Sequence, residues 1–209
     1  MIKLLIFDLD NTLFDTYSQL GIKVLDKMII QMRKLGLTKE QEQLLRKKYI
    51  ITGFRIVAKE LGLSEEVKNI GMQTYRGMDI SHITPYEDVK LLDGFKQKKI
   101  LVTSGLEEVQ LKKVKVLKIG DLFEEVIVDE SSSYENKKKI FADIMRKHKL
   151  KPKEVMIIGD NPESEIAAGN ALGIITVQIL RRHGMLKGKA DYHITDLYEL
   201  EKLLKDAEK

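Results

Sequence analysis

The run Phe7-Asp8-Leu9-Asp10-Asn11-Thr12-Leu13 sets two carboxylates two positions apart, directly after the mostly apolar stretch Ile2 to Phe7. Only Lys3 interrupts that stretch, which reads as a strand covered on both faces. Asp8 then falls at the carboxyl end of the strand. Ligands of open α/β sheets bind outside the carboxyl ends of the strands, so Asp8 and Asp10 are expected to project toward a ligand crevice. The bland alternative is a solvated turn, because Asp and Asn favour turns. Three later segments weigh against it.

Leu101-Val102-Thr103-Ser104-Gly105 places two hydroxyls and a glycine between a predicted strand and a helix beginning near Leu106. Backbone N–H groups at a helix start, aided by the helix dipole, bind phosphate well, although an ordinary Ser/Thr cap has the same appearance. Ile157-Ile158-Gly159-Asp160-Asn161-Pro162-Glu163-Ser164-Glu165 puts one acid just past another strand and two more before the next helix is established. Mg2+ prefers oxygen ligands and keeps several waters, so one carboxylate from this segment joined to one from the first strand would suffice to hold it. Glu163 and Ser164 are explained equally well as helix N-terminal residues, whereas Asp160 is not. Lys137, Lys138 and Lys139 open the helix after the third strand, where positive charge opposes the dipole. One of them is expected to reach the crevice, and the residues themselves favour none of the three.

The elements that must position these groups follow from periodicity. From Tyr17 to about Met78 the pattern is helical, with Leu25, Met28, Met32 and Leu35 on one face and Gly36 closing the first helix. Helices are predicted over 38–49, 53–61 and 64–77, with Gly62 and Ser64 as stop and cap signals. Strand and helix then alternate: strands at 99–103, 126–129, 155–159, 174–180 and 191–194, helices at 107–117, 136–148, 163–172 and 196–204. Such alternation predicts an α/β fold, a Rossmann-like parallel sheet with helices on both faces, carrying a small all-helical insert after its first strand. The domain division expected is a core of residues 1–15 and 82–209 and a helical domain of residues 16–81.

Composition narrows the function classes. A chain of 209 residues can bury a full core without staples. The absence of cysteine excludes a disulfide framework, a thiolate zinc site and a cysteine nucleophile, and fits a reducing compartment. No apolar run approaches a membrane span and the N-terminus lacks the pattern of a signal peptide, so a soluble, cytoplasmic protein without membrane partners is expected. Charged residues make up 33%, compatible with a surface rich in ion pairs. The net charge of +4 raises the question of nucleic acid, but the basic clusters at 46–48, 112–115 and 137–139 have no interleaved aromatics and read as solvated helix faces. A mildly basic surface also draws in anionic substrates.

Together these segments resemble the four motifs of the haloacid dehalogenase superfamily, in the same order and over essentially the whole chain. Asp8-Leu9-Asp10-Asn11-Thr12 matches the first motif, Thr103 the second, a lysine of 137–139 the third, and Gly159-Asp160 with Glu165 the fourth. The helical insert resembles the family's type-one cap. The resemblance implies that Asp8 is a nucleophile that takes a phosphoryl group as an aspartyl-phosphate, with Asp10 as general acid and then general base. It implies Mg2+ held by the Asp8 carboxylate, the Asp10 carbonyl and Asp160, phosphoryl oxygens held by Thr103, Ser104 and Gly105, and charge offset by the lysine. Lys137, one helical turn before Phe141, is taken as that lysine.

Two features depart from the family's pattern. Glu165 stands where an aspartate is usual, so ligation through water is expected, and no proline follows a lysine to mark the third motif. Asp10 separates subgroups, since the family's dehalogenases lack an acid at that position and its transport ATPases have a threonine there. The implied activity is therefore a Mg2+-dependent phosphatase acting on a small phosphorylated metabolite, selected by a cap that excludes water. A sugar-phosphate phosphomutase, which would return the phosphoryl group to a second hydroxyl, is the runner-up, and a silent binding protein on the same fold the third reading. Arg55 and Tyr17 are candidates for touching a leaving group, Arg55 being equally a plain surface arginine.

Overall fold

A computed structural model describes residues 1–131 and 133–207, apart from the side chains of residues 50–52. The chain divides into two compact units, Met1–Asp15 with Thr84–Lys209, and Thr16–Ile83.

The first unit is built on a six-stranded sheet in the order β3-β2-β1-β4-β5-β6. Its strands are β1 (Leu4–Phe7), β2 (Lys98–Ser104), β3 (Glu125–Asp129), β4 (Val155–Gly159), β5 (Ile175–Ile179) and β6 (Tyr192–Ile194). Every pairing is parallel, with Phe7 opposite Leu101 on one side and Ile158 on the other. The fold class is thus the parallel α/β sheet that strand and helix alternation predicts. Because side chains alternate along a strand, Leu4 and Ile6 face one layer and Leu5 and Phe7 the other. All four are buried. Leu4 and Ile6 pack with Ile100, Val155 and Ile157 against Phe141 and Ile144 of one helix and Ala168 of another. On the opposite layer Phe7 meets Phe123 edge-on, with ring centroids 6.0 Å apart.

The helices of this unit, named after the four of the second unit, are α5 (Glu107–Leu117), α6 (Tyr134–His148), α7 (Glu165–Ala171) and α8 (Leu197–Asp206). Two boundaries bear on the site. α6 starts at Tyr134, capped by Ser133, whose hydroxyl accepts from Asn136 N at 3.3 Å, so Lys137 closes the first turn instead of opening the helix. α7 starts at Glu165 instead of Glu163, because residues 161–164 form a turn in which the Asn161 side chain accepts from Glu163 N at 2.9 Å. A 3-10 helix, Glu87–Gly94, has no counterpart among the predicted elements, since eight residues of this tightly wound helix carry too little periodicity to read.

The second unit holds a π-helical turn (Tyr17–Gly21), α1 (Ile22–Arg33), α2 (Lys39–Thr52), α3 (Phe54–Glu60) and α4 (Glu65–Arg76). Leu25, Met28 and Met32 are buried as their spacing predicts, but Leu35 lies past the end of α1 and is exposed. Thr38 and Gln41 form a reciprocal capping box at α2, and Ser64 caps α4. Glu42 accepts from Arg33 at 2.7 and 2.8 Å and from Arg46 at 3.0 Å, and Arg46 continues to Asp26 at 2.6 Å. No helix among the described residues is long and apolar enough to cross a membrane.

Candidate active site

The chain runs from β1 to β2 and β3 on one side, then crosses to β4 on the other, so strand order reverses beside β1. A crevice opens at such a reversal, outside the carboxyl ends of the strands. Asp8 is the first residue past β1, and its N–H still donates to Ile158 O at 2.9 Å, which fixes its backbone to the rim of the sheet. Asp160 is the first residue past β4. The turn after Asp8 closes through Leu13 N to Leu9 O at 2.9 Å, with Asn11 at φ 58, a left-handed conformation that Asn tolerates better than most residues.

One carboxylate oxygen from each of Asp8, Asp160 and Glu165 lies within 4.8 Å of the others, with Asp8 and Glu165 buried and Asp160 half-buried. Glu165 reaches this position because Gly159 has no side chain, a Cβ there colliding with the Glu165 carboxylate arm. Its Oε1 accepts from Asn161 N at 2.6 Å and its Oε2 from Lys137 Nζ at 3.1 Å. Lys137 Nζ also stands 3.6 Å from Asp8 Oδ1. Lys138 instead lies over the Tyr134 ring at 6.0 Å, and Lys139 is exposed. The geometry therefore brings Lys137, of the three lysines, to the acids.

The electrostatics are those of an acid cluster lacking enough positive charge. Burial pushes the Asp8 carboxyl well above its ordinary value; Lys137 opposes this, and Glu165, Asp160 and Asp10 reinforce it. Burial also pushes Asp160 up to about 8, with Glu165 and Asp10 adding to the shift. Burial alone would lower the Lys137 ammonium, but the Glu165 and Asp8 carboxylates outweigh it and hold its pKa above the ordinary lysine value. An all-oxygen set crowded to this degree fits a hard divalent cation, which would restore the charged form of both aspartates.

The second motif borders the same rim. Thr103 is fully buried, and its Oγ1 accepts from Gln110 Nε2. Ser104 is half-buried and its carbonyl accepts from the same amide at 3.0 Å. Gly105 takes φ +146, a conformation L side chains rarely adopt, and its N–H donates to Asp129 O at 3.1 Å. Glu107 N donates to Glu130 Oε1 at 3.1 Å. These two donors of the expected anion cradle are thus committed within the protein.

Three contacts at the site have no forerunner among the sequence motifs. Asp10 Oδ1 accepts from Lys113 Nζ at 2.7 Å and Asp10 Oδ2 from Gln110 Nε2 at 2.7 Å, both donors lying on α5. The available signal is that Gln110 and Lys113 interrupt the apolar stripe of that helix. Arg181, from the loop after β5, donates to Thr12 O at 3.1 and 3.0 Å and pairs with Asp88 at 2.6 Å, stacked on Tyr86. That contact braces the first-motif turn from behind, and nothing in the spacing of residues 12, 88 and 181 announces it. Arg55 is exposed on α3, and Tyr17 is half-buried at the start of the π-helical turn.

The sequence profile of the family described as haloacid dehalogenase-like hydrolase matches residues 5–179. The chain belongs to that family. This hydrolase is 30% identical to the glyceraldehyde 3-phosphate phosphatase of Methanopyrus kandleri over 87% of its own length and 85% of that protein. It is 27% identical to the enzyme of the same name from Methanocaldococcus jannaschii, over the full length of both. Its fold superposes on a haloacid dehalogenase-type phosphatase from Thermococcus onnurineus with a TM-score of 0.68 and 23% identity, over 97% and 98% of the two chains. The two glyceraldehyde 3-phosphate phosphatases put the hydrolase with the phosphatases of its family.

Proposed function

We propose that this hydrolase removes the phosphoryl group from glyceraldehyde 3-phosphate or a closely similar small sugar phosphate, with Mg2+ as cofactor and Asp8 as covalent nucleophile. The observation that carries the reading is the meeting of Asp8, Asp160 and Glu165 beside Lys137 at the strand-order reversal, with Asp10 on the adjoining turn. Relatives named for glyceraldehyde 3-phosphate supply the substrate class. Asp8, Asp160 and the Asp10 carbonyl are the proposed holders of Mg2+, with Glu165, whose oxygens accept from Lys137 and Asn161, acting through water. When bound, the cation supplies charge screening between an anionic nucleophile and an anionic phosphate.

The remaining steps belong to the chain's own residues. An Asp8 carboxylate oxygen forms a bond to phosphorus as the ester P–O bond breaks, and Asp10 hands its proton to the departing alkoxide. Water then attacks phosphorus, its proton passing to Asp10, and the P–O bond to Asp8 breaks to release inorganic phosphate. The Thr103 hydroxyl, accepting from Gln110, has its own hydrogen left to donate to a phosphoryl oxygen. Lys137, buried and held charged, offsets negative charge on the transferring group. Residues 16–81 are assigned the part of the cap that selects small substrates.

The test is phosphate release from glyceraldehyde 3-phosphate, dihydroxyacetone phosphate and p-nitrophenyl phosphate, with Mg2+ or chelator, for the wild type and Asp8→Asn. Expected is Mg2+-dependent release with glyceraldehyde 3-phosphate preferred, falling at least about a thousandfold in Asp8→Asn. Release that persists in the variant would remove the covalent step, and no release from any ester would remove the phosphatase reading.

A further inference from the structure

The buried face of α5 carries Val109, Val114 and Leu117, yet at two positions on it stand Gln110, fully buried, and Lys113, 2% exposed. A buried amide or ammonium is costly unless its donors are satisfied. Both converge on Asp10, and each takes a different oxygen: Lys113 Nζ meets Oδ1 and Gln110 Nε2 meets Oδ2, both at 2.7 Å. One donor would leave the carboxylate free to rotate about its Cβ–Cγ bond; two donors on separate oxygens fix its plane as well as its place. The surroundings are shaped for this. Gly105, at positive φ, leaves the space that Gln110 fills, a Cβ there standing 3.1 Å from the Gln110 Cδ. The Phe14 ring lies 5.7 Å from the Lys113 ammonium and shields it on one side. The Gln110 amide also ties Asp10 to Thr103 Oγ1, so two proposed catalytic groups share one donor.

We propose that Lys113 and Gln110 are positioning residues for Asp10, a clamp holding its carboxyl group in the orientation from which it exchanges protons with the leaving alkoxide and the attacking water. The inference rests on the phosphomonoesterase reading above. With its side chain 3% exposed, Lys113 acts through Asp10 and does not itself meet substrate. A carboxylate oxygen has two lone pairs, so accepting from the clamp does not by itself bar it from carrying the proton in transit. In the first step that proton moves from Asp10 to the ester oxygen as the P–O bond breaks, and in the second a water proton returns to Asp10.

A pair that merely stabilised the fold would slow all substrates alike, whereas loss of a positioned general acid penalises leaving groups that need a proton. The experiment compares kcat/KM, which reports the reaction through ester cleavage, for the Mg2+-loaded protein on glyceraldehyde 3-phosphate and on p-nitrophenyl phosphate, whose leaving group departs unprotonated. Lys113→Met is expected to lower kcat/KM on the sugar phosphate about a hundredfold and on the aryl ester no more than about tenfold. Lys113→Arg is expected to recover most of the difference. Equal losses on both esters, or no loss on either, would overturn the clamp while leaving the phosphatase reading standing. A wild-type protein that hydrolyses neither ester would overturn both. Should Lys113→Met fail to fold, Lys113→Gln, which puts a shorter neutral donor at that position, decides the matter by the same ratio.

Discussion

Asp160 illustrates how a single residue records the need for a ligand. Its carboxyl is pushed up to about 8, first by burial and then by Glu165 and Asp10, and Asp8 is pushed upward in the same direction. In the metal-free protein this has a definite sign. Between the ordinary Asp value of 3.8 and about 8 the folded protein holds a proton that the unfolded chain has released, so stability falls as pH rises through that window. Urea midpoints measured in chelator should therefore decline from pH 5.5 to 8, and the decline should be shallower in Asp160→Asn. Saturating Mg2+ should abolish it, because bound carboxylates are already deprotonated. A midpoint that rises over this range in chelator would contradict the crowding of acids at the site.

At the scale of elements, the first-motif turn is held by parts of the chain remote from it. Arg181 and Asp88 are each about 5% exposed and form a two-bond pair at 2.6 and 3.1 Å, with Asp88 also accepting from Leu197 N at 2.7 Å where α8 begins. Removing one partner of a buried pair strands the other, at a cost of about 3–5 kcal/mol. Arg181→Met is expected to destabilise the protein by that order in chemical denaturation. It should also impair turnover in the fraction that remains folded, because Thr12 O loses its donors. Arg181, in the loop after β5, thus serves as a buried structural anchor. The lysines show the same relation between local and distant information. The triple run at 137–139 is legible, and Lys137 is the member read as the motif lysine; its contact with Glu165 follows from α6 starting three residues before it.

For the whole molecule, the proposed cation would be a folding ligand as well as a cofactor. A ligand bound only by the native state stabilises it by RT ln(1 + [L]/Kd), about 2.7 kcal/mol at a hundredfold excess over Kd. In a domain of this size each kcal/mol moves Tm by about 2–4 °C. Mg2+ at that excess should therefore raise Tm by roughly 5–10 °C in the wild type, and by much less in Asp160→Asn, as read by scanning calorimetry. An unchanged Tm across millimolar Mg2+ would argue against the acid cluster as a cation site.

The sequence by itself determined the parallel α/β class, the order of most elements and the segments that supply the chemistry. It could do so because alternating strand and helix periods, and acids placed just past apolar strands, are local patterns that a parallel sheet converts into one edge. Only the tertiary structure decided that Glu165 accepts from Lys137, that Gln110 and Lys113 grip Asp10, and that Arg181 braces Thr12. Each of those contacts joins different parts of the rim, and their partners are set by strand order and helix register, which no local spacing encodes. Lys113 belongs to the basic cluster 112–115, which reads in sequence as a solvated helix face; folded, it is buried, and with Gln110 it holds the Asp10 carboxylate.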